Sequence, residues 1–153
     1  MTFLELKIAP PLQVGLLTVV AWLIHKHIEI SHIHIIYQTH VALILGGFSV
    51  LLLMVSAGQF FTKKTTINPM KVNEVATLMT GGVFSLSRNP IYLADLIFLI
   101  AWVVWLGEAT NLILPAVFVW YCTRFQILPE EDALRSKFGE TYADYQRRVR
   151  RWI

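Results

Sequence analysis

Charged residues are scarce in this chain. Asp, Glu, Lys and Arg make up only 15% of its 153 residues, whereas 56% are hydrophobic and the mean hydropathy is +0.57. Soluble globular domains carry about 25% charged residues, so this composition excludes an ordinary soluble domain and indicates that the lipid bilayer is the solvent. We expect a single membrane domain over 1–153, whose core forms between helices.

Cysteine is scarce as well, and the N-terminal apolar run does not have the pattern of a cleavable signal peptide. Cys122 is the single cysteine, so no internal disulfide can form, and its apolar surroundings predict a small buried core residue. The first apolar run ends at His25 and Lys26 with no small-residue cleavage site after it, which favours a retained span over a signal peptide. The sequence contains no internal repeat, and nothing in it suggests a nucleic-acid partner.

Long apolar runs are abundant instead. A membrane-spanning helix needs about 20 predominantly apolar residues, and four runs approach that length: 8–24, 41–57, 91–107 and 109–128. Only a short turn at Gly107 and Glu108 separates the last two, so these should form an antiparallel helical hairpin. The expected fold is therefore all-α and polytopic, with about four transmembrane helices and a cytoplasmic C-terminal helical segment.

Basic residues predict the orientation of these spans. When four spans are threaded through the membrane, twelve of the 13 Lys and Arg residues fall on one side and only Lys26 falls on the other. Cytoplasmic flanks carry the excess of basic residues, so we expect a cytoplasmic C-terminus and contacts with anionic membrane lipids. The short length and the small number of spans suggest a prokaryotic inner membrane.

The last part of the chain, 130–150, has the pattern of short surface helices. Pro129 followed by Glu130 and Glu131 is typical of a helix first turn, because acidic side chains favour the positive end of the helix dipole. An apolar face follows with helical spacing, and Gly139 interrupts it. We therefore expect two helices at the cytoplasmic membrane surface, with the terminal tryptophan and arginines at the interface.

The five histidines all lie in the first loop and at its edges: His25, His27, His32, His34 and His40. Two His-x-His pairs have a spacing that allows metal ligation in an extended segment. No cysteine or paired carboxylate accompanies them, and the loop is expected on the side opposite to the other polar motifs. We therefore interpret the segment as an interfacial loop and assign no metal ligand.

Asp95 is an acidic residue inside the third predicted span. Burying an unpaired charge in the bilayer is costly, so intramembrane carboxylates usually have a function or a partner. Lys63, Lys64 or Arg88 would be close enough to the headgroup region to neutralise this one. The sequence leaves both interpretations open, a functional group and a structural ion pair.

Polar residues mark the two ends of the predicted hairpin. Arg88, Asn89 and Tyr92 lie at the start of one helix, and Glu130 and Glu131 lie beyond the end of the other. Because the helices of a hairpin return to the same membrane face, these residues should be neighbours. An arginine fork suits a carboxylate and a glutamate suits an ammonium group or ribose hydroxyls, so a zwitterionic cofactor would satisfy both. The alternative is that these side chains simply form salt bridges with one another.

Three segments resemble the integral-membrane methyltransferases that include isoprenylcysteine carboxyl methyltransferase and phosphatidylethanolamine N-methyltransferase. They are TTINP at 65–69, GGVFSLSRNPIYLAD at 81–95 and PEEDALRSKFGETYADYQRRVRRWI at 129–153. An Arg-(His or Asn)-Pro-x-Tyr segment, a helical hairpin, Glu-Glu and Phe-Gly-x-x-Tyr follow one another here in the family's order. The resemblance covers about the C-terminal two-thirds of the chain.

This resemblance implies an S-adenosylmethionine-dependent methyltransferase that acts on a lipophilic or prenylated acceptor at the cytoplasmic membrane face. It implies a cofactor site between the two motifs, with Tyr92, Glu130 and Glu131 as the catalytic candidates. The implied cofactor-binding residues are Arg88, Asn89, Pro90, Tyr92, Glu130 and Glu131.

Two departures from the family pattern leave alternatives open. Ala94 and Asp95 stand where the family often has glycine, which would narrow the cofactor or acceptor pocket. Asn89 stands where prenylcysteine enzymes usually have histidine, which weakens the case for a prenylcysteine acceptor. The alternatives are a phospholipid amine N-methyltransferase of the phosphatidylethanolamine type and a non-catalytic membrane scaffold.

Overall fold

The described part of the chain is helical. The computed structural model describes residues 10–27, 32–33, 36–62 and 77–153. Its elements, in chain order, are α1 (Pro10–His27), α2 (Gln38–Thr62), a 3-10 helix (Gly82–Ser85), α3 (Pro90–Leu106), a second 3-10 helix (Ala109–Leu112), α4 (Ile113–Cys122), a π-helix (Thr123–Ile127) and α5 (Leu128–Arg148). Within these residues the β contact is an isolated bridge between His32 and Glu108, so the predicted all-α fold is confirmed there.

Helices α2 and α3 pack in antiparallel fashion. Gln38, at the start of α2, donates a hydrogen bond to the carbonyl of Trp105 near the end of α3 (3.0 Å). In the middle of the pair, the buried hydroxyl of Ser49 donates to the carbonyl of Ala94 (2.8 Å). A hydroxyl buried between apolar helices needs such an acceptor, so this bond fixes the register of the two helices.

Helix α1 lies antiparallel to α4. Near its start, Gln13 accepts a hydrogen bond from the thiol of Cys122 at the end of α4 (3.3 Å). Near its end, the carbonyl of Ala21 accepts one from the buried side chain of Asn111, just before α4 (3.1 Å). Cys122 is fully buried, which confirms its prediction as a core residue.

A tight turn joins α3 to α4, as the sequence predicts. Gly107 ends α3 in a left-handed conformation (φ 66°), and its amide donates to the carbonyl of Val103 (3.1 Å). A Cβ atom at this position would lie 3.1 Å from the carbonyl oxygen of Ile33, so both the backbone conformation and the available space favour glycine. The start of α3 and the end of α4 consequently lie at the same end of the bundle.

Two helical stretches are long and apolar enough to cross a membrane, by length and composition. They are Gln38–Phe61 and the helical path Ala109–Arg148, while α3 is a shorter apolar helix. Helix α2 also exposes large apolar side chains such as Leu43, Ile44 and Met54. An apolar surface of this kind is typical of a membrane or protein interface. These surfaces agree with the membrane protein that the composition predicts, and the number of four spans stays a prediction.

The start of α5 agrees with the sequence pattern. Pro129 lies in its first turn with Glu130 and Glu131, and the helical path enters this turn without interruption from the stretch 109–128. A proline lacks an amide hydrogen and crowds the carbonyl four residues back. The π-helix before Pro129 provides a wider turn there, which lets the helix continue. Gly139 then kinks α5 with a non-helical conformation (φ 51°, ψ −127°), so the predicted division into two helical segments is confirmed.

Two hydrophobic clusters support the start of α3. The larger one joins α1, α3, α4 and the π-helix, and the smaller one joins side chains of α5 and the residue that follows it. Tyr92 belongs to the larger cluster. Tyr145 belongs to the smaller one, and its hydroxyl donates to the carbonyl of Phe84 (2.6 Å). The segment between Phe84 and Tyr92 is therefore held by both clusters.

Candidate functional site

A short polar segment leads into α3. Asn89 is the N-cap residue, and its carbonyl accepts a hydrogen bond from the amide of Leu93 (2.9 Å). Pro90 occupies the first turn, where a missing amide hydrogen removes no helical hydrogen bond. The backbone amide of Asn89 donates to the hydroxyl of Ser87 (3.1 Å). These local bonds fix the position of Arg88 at the mouth of the helix.

The end of the described chain folds back onto this segment. The backbone amide of Arg88 donates to the carbonyl of Arg150 (3.0 Å). The side-chain amide of Asn89 donates to the carbonyl of Arg151 (2.9 Å). We refer to residues 149–152 as the C-terminal clasp, because their carbonyl oxygens accept hydrogen bonds from a backbone donor and a side-chain donor at the entrance of α3.

A buried ion-pair triad lies beneath the clasp. The guanidinium of Arg88 donates to Glu131 Oε1 through Nη2 (2.8 Å). Arg151 donates to both carboxylate oxygens of Glu131, through Nε (3.0 Å) and Nη2 (2.8 Å). The side chain of Glu131 is only 6% exposed. Two arginines share one carboxylate, so the triad carries a net positive charge that favours an anionic group beside it.

The sequence prediction that Arg88 and Glu131 are neighbours is confirmed. They form the salt bridge that the sequence leaves open as an alternative to ligand binding. The two interpretations are compatible, because Arg88 Nε is buried and has no hydrogen-bond partner within the described ranges. One donor of the arginine fork therefore remains for another acceptor.

Glu130 lies next to the triad in the chain and is held by Tyr92. The hydroxyl of Tyr92 donates to Glu130 Oε2 at 3.1 Å. Glu130 follows the apolar stretch 109–128 and is half-buried. Loss of hydration raises the pKa of its carboxyl to about 7; the Tyr92 hydrogen bond lowers this pKa and the charge of Glu131 raises it. Glu130 therefore changes its charge near neutral pH.

Two tyrosines of α5 line the other side of the triad. Tyr142 and Tyr145 are both buried, and burial raises the pKa of each phenol well above its usual value. Both hydroxyls consequently stay protonated and serve as hydrogen-bond donors. Tyr145 uses its hydroxyl on the carbonyl of Phe84, which fixes the 3-10 helix that precedes Arg88.

Arg151 is the site residue that the sequence does not reveal. The arginines around it are equally expected in a segment that contacts lipid headgroups, and its partner Asn89 lies 62 positions earlier in the chain. The available signal is Glu131 itself, because a carboxylate between two basic segments attracts more than one donor. The TTINP motif at 65–69 lies outside the described residues.

Asp95 is buried within α3. Its Oδ2 atom has no hydrogen-bond partner in the part of the chain that the structure describes. Arg88 is engaged by Glu131 instead, while Lys63 and Lys64 fall in a stretch that is not described. The predicted ion pair with Arg88 is therefore absent from the described residues, and a functional role of Asp95 stays a prediction.

A polar cavity of about 380 Å³ adjoins the segment that leads to Arg88. It is lined by Gln59 and residues 77–82, which lead into the first 3-10 helix. A second, apolar cavity of about 250 Å³ opens between α2 and α3 and includes Trp102 and Trp105 at the far end of α3. The polar cavity has the size of a small-molecule site, and it is the one of these two that lies on the side of the triad.

Known proteins similar to this chain include two named methyltransferases. The Protein-S-isoprenylcysteine O-methyltransferase of Schizosaccharomyces pombe is 31% identical over 122 residues, which cover 78% of this chain and 50% of that protein. The Protein-S-isoprenylcysteine O-methyltransferase B of Arabidopsis thaliana is 33% identical over 107 residues, which cover 70% of this chain and 53% of that protein. The chain thus spans about half the length of these two relatives.

A third relative is shorter than this chain. An uncharacterised protein of Haemophilus influenzae is 41% identical over 63 residues, which cover 41% of this chain and the whole of that protein. No solved structure matches the chain significantly. The model of the phospholipid methyltransferase family matches residues 38–141, a range that contains Arg88, Tyr92, Glu130 and Glu131. Because this match covers more than half of the 153 residues, the chain belongs to the phospholipid methyltransferase family.

Proposed function

We propose that this chain is an S-adenosylmethionine-dependent membrane methyltransferase of the isoprenylcysteine carboxyl methyltransferase type. It transfers a methyl group to a lipophilic acceptor at the cytoplasmic face of a prokaryotic inner membrane. The observation that carries the proposal is the buried triad of Arg88, Glu131 and Arg151 beside the pair of Tyr92 and Glu130. This arrangement offers a donor for an anion and an acceptor for a cation at one end of the bundle.

The residues fit the polar groups of the cofactor. S-adenosylmethionine carries a carboxylate, an ammonium group and ribose hydroxyls. Arg88 Nε, which is buried without a hydrogen-bond partner among the described residues, is the donor for the carboxylate. Glu130 accepts one hydrogen bond from Tyr92 and is the acceptor for the ammonium group or a ribose hydroxyl.

Glu131 has a different role from Glu130 in this proposal. Both of its oxygens are already used by Arg88 and Arg151, so it is a positioning residue that orients the Arg88 fork. Asn89 and Pro90 contribute in the same indirect way, since Asn89 is held by the clasp and Pro90 sets the helix start. The implied cofactor contacts thus narrow to Arg88 and Glu130, with Tyr92 fixing the Glu130 carboxylate.

The bound cofactor supplies an electrophilic methyl group on a sulfonium. The chain has to align the acceptor with it and keep water out. An ionised carboxylate acceptor needs no base, whereas an amine or thiol must lose a proton. Glu130 is the described group suited to take that proton, because its pKa is raised to about 7 by loss of hydration.

A phospholipid amine methyltransferase is the second candidate function. The description of the matching family, phospholipid methyltransferase, favours it, as does Asn89 in place of the histidine usual in prenylcysteine enzymes. The two candidates share the cofactor site and differ in the product. A methyl ester releases methanol in base, whereas the N-methyl bond of a methylated amine is stable to base.

Calorimetric titration of S-adenosylhomocysteine into the detergent-purified protein tests the cofactor site. We expect binding by the wild type and by Asp132→Asn, whose side chain is 76% exposed. Arg88→Lys keeps the charge but loses the Nε donor, and Glu130→Gln loses the anionic acceptor, so each should weaken binding about tenfold or more. A folded wild type that binds no cofactor would leave the chain as a non-catalytic scaffold.

Transfer of radiolabelled methyl groups then identifies the acceptor. The protein is incubated with labelled S-adenosylmethionine and either a farnesylated cysteine analogue or phosphatidylethanolamine vesicles. Label that base converts to volatile methanol supports carboxyl methylation. Label that partitions into the lipid extract before base treatment and gives no volatile methanol after it supports the amine methyltransferase instead.

A further inference from the structure

Three side chains with metal-ligating atoms meet at the end of the bundle remote from Arg88. His25 lies in the last turn of α1, His32 lies in the first loop, and Glu108 lies in the turn between α3 and α4. Their ligand atoms all lie within 4.8 Å of one another. Three separate parts of the chain therefore converge on a volume the size of one cation.

Backbone contacts hold this cluster together. The amide of Ile33 donates to the carbonyl of Gly107 (2.8 Å), and His32 forms an isolated antiparallel bridge with Glu108. The rings of His25 and His32 pack edge to face with centroids 5.7 Å apart. The first loop is thus fixed against the turn that carries Glu108, and the histidine side chains are positioned from two sides.

The electrostatics of the cluster favour a cation. The carboxylate of Glu108 is fully buried, and its Oε2 lies 3.5 Å from His32 Nδ1. A buried carboxylate favours a cation beside it. His25 Nδ1 is buried as well and has no hydrogen-bond partner among the residues that the structure describes. A metal ion would bind that nitrogen and would compensate the negative charge of Glu108.

We propose that His25, His32 and Glu108 form a binding site for a divalent transition metal of the zinc class. Two imidazoles and one carboxylate are a recurrent ligand set for such ions, with water in the remaining position. Bond lengths of about 2.0–2.2 Å require the three ligand atoms to draw closer than they lie here. His32 can provide this movement, because 43% of its side chain is exposed.

The bound ion would act as a structural link between α1, the first loop and the α3–α4 turn. The cluster lies at the opposite end of α3 from Arg88, so the proposal is independent of the methyltransferase function. The sequence alone does not indicate the site, because Glu108 lies 76 positions beyond His32. The fold brings this distant acidic ligand to the histidines.

The test is metal binding by the full chain purified with a tag that contains no histidine. After treatment with a chelator, the protein in detergent is titrated with Co²⁺, followed by visible absorption, and with Zn²⁺, followed by calorimetry. We expect one equivalent to bind with the intense visible bands of a low-coordinate Co²⁺ site, which Zn²⁺ displaces. Zn²⁺ should also raise the thermal midpoint of the wild type.

Variants locate the ion. His25→Ala, His32→Ala and Glu108→Gln should each weaken binding by about tenfold or more and abolish the rise in thermal midpoint. His27→Ala and His40→Ala remove exposed histidines outside the cluster and should bind as the wild type does. If Glu108→Gln does not fold, the exposed His32 decides the result, since its replacement removes no buried side chain.

Two results would overturn the proposal. One is a folded wild type that binds neither ion at protein-equivalent concentrations, which would leave the cluster as a histidine–carboxylate ion pair. The other is binding that is lost in His27→Ala or His40→Ala but kept in His32→Ala, which would assign the metal to exposed histidines.

Discussion

At the level of single residues, the triad determines which side chains the site tolerates. Glu131 is shared by two arginines whose exposure differs, since the Arg88 side chain is 10% exposed and the Arg151 side chain is 33% exposed. When Glu131 is removed, Arg151 can turn toward water, whereas Arg88 stays buried beneath the C-terminal clasp. The loss of stability on removing Glu131 therefore comes mainly from the unpaired charge of Arg88.

Removal of the Glu131 carboxylate should destabilise the protein strongly. Breaking a buried ion pair leaves an uncompensated charge and costs about 3–5 kcal/mol; because Arg151 can rehydrate, we expect Glu131→Ala to lie near the lower end. Asp132→Ala is the matched control, since its exposed carboxylate pairs with Arg135 at 3.8 Å and such surface pairs contribute about 0–1 kcal/mol. Unfolding in detergent measures both variants. Equal stabilities would contradict a stabilising role of the triad.

Binding of S-adenosylhomocysteine should strengthen as the pH rises through 7. Loss of hydration raises the pKa of Glu130 to about 7, so this carboxyl is mostly neutral below that pH and anionic above it. The anion is the better acceptor for an ammonium group, and the affinity should therefore fall toward low pH by at most about tenfold per unit, because one proton is involved. Calorimetric titrations on both sides of pH 7 measure the profile.

Two variants assign this pH dependence. Glu130→Gln should remove the dependence near pH 7, because the titrating group is gone. Tyr92→Phe removes the hydrogen bond that lowers the pKa of Glu130, so the midpoint of the profile should move to higher pH. An unchanged profile in Glu130→Gln would assign the dependence to another group.

At the level of elements, the kink in α5 shapes the site. Gly139 lies in a conformation (φ 51°, ψ −127°) that residues with a Cβ atom rarely adopt. The kink separates the half of α5 that carries Glu130 and Glu131 from the half that carries Tyr142 and Tyr145. Because of the kink, both halves of α5 can contact the entrance of α3. In a straight helix of this length, only one of the two halves would contact it.

Gly139→Ala should destabilise the protein by about 1–3 kcal/mol, the cost of a strained backbone conformation. A Cβ atom added at Gly139 meets no other atom within 4 Å, so the loss reports the backbone alone. Gly47→Ala in α2 is the control, because its added Cβ atom is equally unobstructed and alanine favours a helix interior by about 0.5–1 kcal/mol. Equal thermal midpoints of the two variants would contradict a required kink.

Local signals in the sequence were sufficient to predict the helices and turns, but they did not predict the contacts between distant parts of the chain. The sequence predicts the start of α3 from Asn89 and Pro90 and the turn after α3 from Gly107. It predicts the kink in α5 from Gly139. Each of these features depends on one or two residues and their immediate neighbours. The clasp depends on Arg151 meeting residues more than 60 positions away. A basic tail is equally compatible with lipid headgroups, so composition cannot distinguish the two.

The π-helix is a second feature that local signals miss. Pro129 indicates a helix start when read alone, but Gln126 and Ile127 before it are fully buried in the bundle. Tertiary packing therefore keeps the helix continuous, and the π-helical turn accommodates the proline. The sequence pattern predicts the helix start at Pro129, which α5 confirms, but it does not indicate the π-helical turn before it.

At the level of the whole molecule, the two ends of the bundle differ in chemistry. One end holds the arginines of the triad and the carboxylates of α5, and the other holds His25, His32 and Glu108. Lys26 follows His25 in the last turn of α1. The one basic residue predicted on the non-cytoplasmic side therefore lies at the end of the bundle that holds His25, His32 and Glu108. The described basic residues Arg88 and Arg151 lie at the opposite end, as the orientation prediction requires.

The orientation predicts which end is accessible from outside the cell. In a Cys122→Ala background, single cysteines are introduced at two exposed positions, His40→Cys near the histidine end and Asp144→Cys in α5. The excess of basic residues marks the cytoplasmic side, so a membrane-impermeant maleimide should label His40→Cys in intact cells. It should label Asp144→Cys only after the membrane is opened. The reverse pattern would place the triad on the outer face, where the intracellular cofactor could not reach Arg88, and would contradict the proposed cytoplasmic site.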